Sequence, residues 1–590
     1  MKSTNYPSAL AILPLLFASL FTTFATAAHA NEAQNPMYIY TLKPAKKDAA
    51  FYDEVAALVS MQGIVNRIKP ILYVDNPEYG TPTYWLDKFS SGTGWLQGRK
   101  HIKLGAIDDV FELARPVLKG AIIWDPEVPA TFNVATTAAG VEDAVVMSPE
   151  FAAAKLSKWK LQVLLDLRGK FTGSETGSKK NDAYRWAIRQ YIDTGKCSPH
   201  WLSLYTDPFF DRQAGQLAYN IVRDMAVSSK AFVFDLSPWG DEKPADDLNQ
   251  RLGLDLETYK LILSATQKQA KGKQLTEVTG FFSFGKYANV PGHPGKHDPV
   301  PTEWETVWLI TPYNCYQNTA TEQCYNQSFH RHAPLAVLKQ PAPGPVRPLQ
   351  NKAYVSILMA DYDSAYPLYS FLPKNWDDAK RGTLPLNWGI NPNLLETYPD
   401  IISSFYASAT PNDHFVADAS AAGYFNPNRI LPQNLPLFVK HNAKFYRQAD
   451  MTISGMVLDW DQPTAAVKDA FTTFSSGGFA TIVMDLHGNG GKDPAPHMWK
   501  GMPVTRLLNN MDPNNLEYSS KVMFDELKTR KSNEPGFYYF RCVWVTPTQI
   551  QALLDLFAKE HPDQPFEIVG LPEFFSLFKQ HYGSHTAAAR

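Results

Sequence analysis

Cysteine is scarce, with four residues in a chain of 590. No C-x2-C pair occurs among them, which argues against a structural zinc site. Charge of one sign is missing too: 56 basic residues face 58 acidic ones, for a net charge of −2. A nucleic-acid surface needs a basic field, so that partner class is excluded. After residue 30 no apolar run is long enough to span a bilayer. No G-x-S-x-G elbow is present, which leaves nucleophilic serine chemistry without support. The glycine-rich stretch "HGNGG" at 487–491 is not followed by Lys-Ser/Thr and is no phosphate-binding loop. No period typical of solenoid repeats is visible.

Aromatic residues, by contrast, are plentiful at 13%, including 14 Trp. Most large aromatics fill cores, but a Trp-rich, nearly neutral protein also suits sugar binding, because pyranose faces stack on rings. The N-terminus reads as an export leader. Lys2 supplies the positive end, Ala9 to Phe21 the apolar stretch, and Ala28-His29-Ala30 the cleavage site. No cysteine stands at the cleavage point, which argues against a lipid anchor. The expected mature chain is soluble and secreted or periplasmic, of bacterial type. Cysteines in such a compartment tend to pair. Cys315 and Cys324 bracket a polar stretch and are expected to form a disulfide. Cys197 and Cys542 are left open between a second pair and buried thiols.

The length implies several domains. Residues 31–110 alternate strand and helix patterns ("MYIYTL", "AAFYDEVAALVSMQGIVNR", "PILYVD"), and 111–178 repeat the alternation. Residues 179–345 read as largely helical and end in a Pro/Gly-rich linker. From 346 to 590 seven apolar runs alternate with helices, each followed by polar or acidic residues. This pattern predicts an α/β protein whose C-terminal domain is a closed or nearly closed β/α barrel of about seven strands. In such a fold, function gathers at the C-terminal strand ends.

Those ends offer Asp361 and Asp363, Trp388 and Asn391, Asp418, Tyr424 and Asn426, Asp459 and Asp461, Asp485 and His487, and Arg541. Asp361 and Asp363 lie two apart, so a strand continuing to 363 would point both to one side. Their ordinary role would be to cap the next turn; their placement makes them the expected catalytic pair. A glycosidic bond needs two such groups, one to protonate the leaving oxygen and one to activate water or attack. The others, apart from Asp459, are expected to bind substrate. Asp413 and His414 precede their strand and suit a turn role. No cofactor or metal is expected.

The stretch "SAAGYFNP" at 420–427 resembles the signature of the GxGYxYP family of putative glycoside hydrolases. The resemblance extends over "YDEVAALVSMQGIVNRIKP", "PEVPATFNVATTAAGVEDAVVMSPE" and "GINPNLLETYPDIISSFYASATPNDHFVADASAAGYFNP". Two positions depart from the signature: Ala421 replaces its first glycine and Asn426 its second tyrosine. Where the family has "SDGDN" after the first barrel strand, "ADYDS" keeps Asp361 and Asp363 and puts Ser364 at the Asn position. The resemblance implies carbohydrate chemistry on an oligo- or polysaccharide. The departures keep a non-catalytic carbohydrate-binding or surface-assembly protein open. A metal-dependent deacetylase-like hydrolase also stays open. Related deacetylases hold a metal with an Asp and an H-x3-H pair, and no such spacing is expected here. Oligomeric state is not legible.

Overall fold

The computed structural model describes residues 36–43, 48–208, 223–281, 299–319, 324–342, 344–484 and 492–588. The leader expected at 1–30, and Asp485 and His487, lie outside the described residues. Short strands separated by helices pair in parallel, because a parallel partner requires a crossover. The first sheet holds β1 (Met37–Thr41), β2 (Leu72–Asp75) and β3 (His101–Leu104) in the order β2-β1-β3. The second holds β4 (Gly120–Ile123), β5 (Ala144–Met147) and β6 (Val163–Asp166) in the order β5-β4-β6.

The segment expected to be largely helical carries a third parallel sheet. Its strands are β7 (Trp201–Leu204), β8 (Phe232–Phe234), β9 (Thr276–Gly280) and β10 (Cys315–Asn318), in the order β10-β9-β7-β8. Each is so short that periodicity cannot separate it from a buried turn of helix. Just before β10 runs α1 (Pro299–Ile310), the helix that matters for the site.

The C-terminal sheet has ten strands. The seven apolar runs supply β11 (Ala353–Tyr362), β12 (Leu386–Ile390), β13 (Asp413–Ala417), β14 (Ile453–Asp459), β15 (Gly478–Val483), β19 (Gly536–Val543) and β20 (Phe566–Ile568). Three short strands lie between them: β16 (His497–Trp499), β17 (Met502–Arg506) and β18 (Leu508–Asn510). The order is β16-β17-β15-β14-β13-β12-β11-β19-β18, with β20 on β11. Pairing is parallel except between β16 and β17. Of the expected closed or nearly closed barrel, closure is not found: pairing follows an open path. Only Leu507 separates β17 from β18, so one stretch of chain pairs β15 with its first half and β19 with its second. Tyr354, Leu358, Val416, Met456, Ala480, Leu507 and Tyr539 form one apolar cluster with Phe574, Phe575 and Phe578 of the C-terminal helix. The alternate residues Val355, Ile357 and Met359 pack instead in the core that also holds the first sheet.

No disulfide forms among the four buried cysteines. Cys315 packs in the core of the second and third sheets, and Cys324 in the core that joins the first sheet to the fourth. The expected pair therefore serves two different cores. Burial pushes the Cys315 thiol up to about 12.

Candidate active site

Three neighbouring strands end in step. Tyr362 of β11 pairs with Ile390 of β12, and Ile390 with Ala417 of β13. The residues that follow are Asp363, Asn391 and Asp418. β11 does not run straight into this end: its register shifts between Met359 and Tyr362, and Asp361 takes a φ of +66°. That bend, rather than strand alternation alone, lets Asp361 and Asp363 converge. Asp418 arrives from two strands away, its Oδ2 accepting a hydrogen bond from the Asp361 backbone N–H at 3.2 Å. Gly389 permits this reach, since a Cβ there would stand 2.3 Å from Asp418 Oδ2.

The result is a triad: one carboxylate oxygen each from Asp361, Asp363 and Asp418, all within 4.8 Å of one another. Asp361 is ion-paired to Arg541 of β19 and accepts the Trp544 indole N–H on its backbone carbonyl at 2.8 Å. Arg541 also donates to Asn510 Oδ1 at 3.2 Å. Burial, then the charge of Asp361, pushes Asp418 up to about 7, against the pull of Arg541. Burial, then the charges of Asp418 and Asp361, pushes Asp363 well above the carboxylate range. The site therefore holds protons near neutrality, the condition for acid catalysis by a carboxyl group. The same all-oxygen spacing also suits one hard cation.

The turn after β13 forms the second wall. Gly423 N–H donates to Asn391 Oδ1 at 2.7 Å, and Ala422 N–H to Asn442 Oδ1 at 2.8 Å. Tyr424 and Gln317 of β10 exchange backbone hydrogen bonds at 3.0 and 3.1 Å. Asn426 N–H reaches Thr311 Oγ1 at 3.2 Å. The third sheet thus clamps the signature turn. Tyr424 is buried, and its hydroxyl has no hydrogen-bond partner among the described residues. Burial, then the charges of Glu303 and Asp363, raises its pKa.

Sequence reasoning missed Glu303, which the fold brings from α1. Val307 packs against Ala419 and Tyr424, with Trp304 beside them. One turn further along, Trp308 stacks on Trp460 at 5.0 Å and lies under Arg429. Residues four apart share a helix face, so the face that presents Val307 to the turn also presents Glu303. Burial, then the charge of Asp361, pushes Glu303 up to about 7, while Arg541 pulls it down. The one signal in the sequence was the run "EWETVW", two acids interleaved with tryptophans.

The other predicted residues have different surroundings. Trp388 lies wholly in the core, its indole N–H donating to Asp413 Oδ1 at 2.9 Å, away from the strand ends. Asp413 also pairs with Arg381 at 2.5 Å and accepts from Thr410. Asn391 and Asn426 are buried in the turn's hydrogen bonding. Asp461 is exposed, and its backbone carbonyl accepts from Asn428. Asp459 accepts from the backbone of Asn428 and Trp460, and burial pushes it up to about 6. Contrary to expectation, two H-x3-H spacings occur in the chain. His293 and His297 lie outside the described residues, and His581 is part of the C-terminal helix and packs on Phe537.

The family model for the GxGYxYP putative glycoside hydrolase C-terminal domain matches residues 351–579. That for the second domain of the family's N-terminal part matches residues 118–194. No curated protein matches the sequence. The crystal structure of a putative hydrolase from Bacteroides thetaiotaomicron VPI-5482 is similar over 93% of this chain and 95% of that one, with a TM-score of 0.67 at 15% identity. That likeness shows the fold. A putative polysaccharide deacetylase from Mycobacterium smegmatis aligns over 42% of this chain and 96% of its own, with a TM-score of 0.28 at 11% identity. The weight therefore rests on the two domain matches, which span the signature turn and all three aspartates: the chain belongs to the GxGYxYP family of putative glycoside hydrolases.

Proposed function

We propose that the chain is an exported hydrolase that cleaves glycosidic bonds of an oligo- or polysaccharide at the face formed by the ends of β11, β13 and β19. The observation that carries this reading is the convergence of Asp361, Asp363 and Asp418, in which the carboxyls of Asp363 and Asp418 are raised by desolvation and by their neighbours' charge. Asp363 is the proton donor to the glycosidic oxygen, its carboxyl being held well above the carboxylate range. Asp361, fixed by Arg541, supplies negative charge to a sugar that becomes cationic as its bond breaks. Trp544 is 47% exposed at the rim, edge-on to Phe371 at 4.7 Å, and offers a ring face for a pyranose. The leader at residues 1–30 would deliver the protein to its glycan outside the cytoplasm.

A second reading has its own observation. Oxygens within 4.8 Å of one another match the ligand spacing of one divalent cation, as in a metal-dependent carbohydrate deacetylase. Both readings are tested by incubating residues 31–590 with glycan and acetylated-glycan panels and measuring new reducing ends and released acetate. Asp361→Asn and Asp363→Asn are each expected to lower glycan cleavage by about 10²–10⁴-fold while the melting profile stays cooperative. Acetate release abolished by a chelator would favour the cation. Binding without any turnover would replace catalysis with a carbohydrate-binding role.

A further inference from the structure

The triad supplies only one side of a hydrolytic site. Two carboxyl groups that work on opposite faces of a sugar stand roughly 5–9.5 Å apart, whereas the three aspartate oxygens lie within 4.8 Å of one another. A partner must come from another element. We propose that Glu303, carried by α1 in the third segment, is a catalytic residue: the general base that faces the triad across the substrate. The assignment rests on the glycosidase reading above.

Geometry carries it. α1 is docked over the strand ends by Val307 on Ala419 and Tyr424, and by Trp308 on Trp460. Glu303 is one turn from Val307 on the same face. It has neither a hydrogen bond nor an ion pair among the described residues. A half-buried carboxylate with no direct partner, in the field of Asp361 and Asp363 and only distantly offset by Arg541, is a poor structural element. A second observation marks the space between the two sides. The Tyr424 hydroxyl is buried and unpartnered, and it lies in the field of both Glu303 and Asp363. A buried hydroxyl normally finds a partner, and a sugar hydroxyl held between Glu303 and Asp363 would provide one. The raised carboxyl of Glu303 agrees with a base working near neutral pH.

In the step, a water lone pair attacks the anomeric carbon, and the water gives one proton to a Glu303 oxygen. The bond from the anomeric carbon to the glycosidic oxygen breaks, and its electron pair stays on that oxygen, which takes the proton of Asp363. Solvent then returns both carboxyl groups to their starting states. Attack from the side opposite the leaving group inverts the anomeric centre.

The test compares wild type, Glu303→Gln and Asp363→Asn of the full mature chain on the glycan that wild type cleaves, with and without azide. Azide attacks without losing a proton, so it bypasses a missing base. Glu303→Gln is expected to melt like wild type, to lose at least about 100-fold in kcat, and to regain at least tenfold of that with azide, releasing a glycosyl azide. Asp363→Asn should gain nothing from azide on the same substrate. Wild-type turnover in Glu303→Gln, or a loss that azide does not repair, overturns the assignment of Glu303 and leaves the triad standing. A wild-type chain that cleaves no glycoside overturns the glycosidase reading and the role of Glu303 with it.

Discussion

Asp418 shows what a single buried carboxyl costs. It is fully buried and accepts hydrogen bonds from two backbone N–H groups, those of Asp361 and Ala419, yet its pKa rises from 3.8 to about 7. Between those values the folded chain keeps a proton that the unfolded chain has released. Stability is therefore intact below about pH 4 and declines as pH rises toward 7, after which the loss is constant. Asp418→Asn is expected to stabilise the protein at pH 8 by about 1–3 kcal/mol, the range allowing for one lost backbone acceptor. At pH 4 the gain should vanish. Urea titrations at the two pH values measure it, and equal effects at both would contradict a charge-based cause. At this scale the sequence was informative where chemistry and position coincided. Asp361, Asp363, Asp418 and Arg541 sit at ends of apolar runs and meet at one place. Trp388 occupies a similar position in its run but turns inward, because alternation along β12 cannot say which side faces the neighbouring helices. Glu303 lay 58 residues before Asp361, on a helix whose docking no local pattern encodes.

The turn from Asp418 to Pro427 is the element most at odds with ordinary backbone preference. Ala419, Ser420 and Ala421 take φ values of +50°, +76° and +109°, and Gly423 takes +113°. Such angles cost non-glycine residues about 1–3 kcal/mol each and persist because Asn391, Asn442, Ser420 and Gln317 hold the turn. Ala421 occupies the position where the family signature has glycine. Ala421→Gly is expected to raise unfolding stability by about 1 kcal/mol, strain relief exceeding the lost methyl burial. Gly423→Ala should act oppositely, costing about 2–4 kcal/mol, because its new Cβ would stand 2.3 Å from the Tyr316 ring. Thermal denaturation of both variants checks the pair of signs. All seven apolar runs of the C-terminal region contain strands, down to the three residues of β20. Strands such as β9 ("TEVTG") and β17 ("MPVTR") match β12 and β13 in length but hold too few apolar residues to stand out from loop.

Across the whole molecule the segments are joined by buried and half-buried polar contacts. Glu277 of the third sheet accepts from Tyr316 at 3.0 Å, Asn318 at 2.9 Å and Asn393 of the C-terminal domain at 3.1 Å. His200 reaches Glu396 at 2.9 Å, and Glu396 also takes Lys444 at 2.8 Å. Asp400 binds His330 at 2.7 Å and Trp95 of the first segment at 3.0 Å. Trp85 donates to the Tyr369 carbonyl at 2.9 Å from within a core shared by both segments. Breaking such contacts strands buried polar groups, so partial unfolding is penalised. Calorimetry is expected to show one cooperative transition for residues 31–590; two resolved transitions would contradict this coupling. None of these pairs was legible in the sequence, since their partners are dozens to hundreds of residues apart and individually ordinary.

The backbone exchange between Tyr424 and Gln317 has a further consequence. β10 is the outermost strand of its sheet. An edge with open N–H and C=O groups is a template on which another chain can add a strand. The signature turn occupies that edge at Gln317, so the residues that shape the candidate site also stopper the sheet against self-association. A nascent chain exposes β10 for the whole interval between residues 318 and 424, and closes it only when the turn arrives.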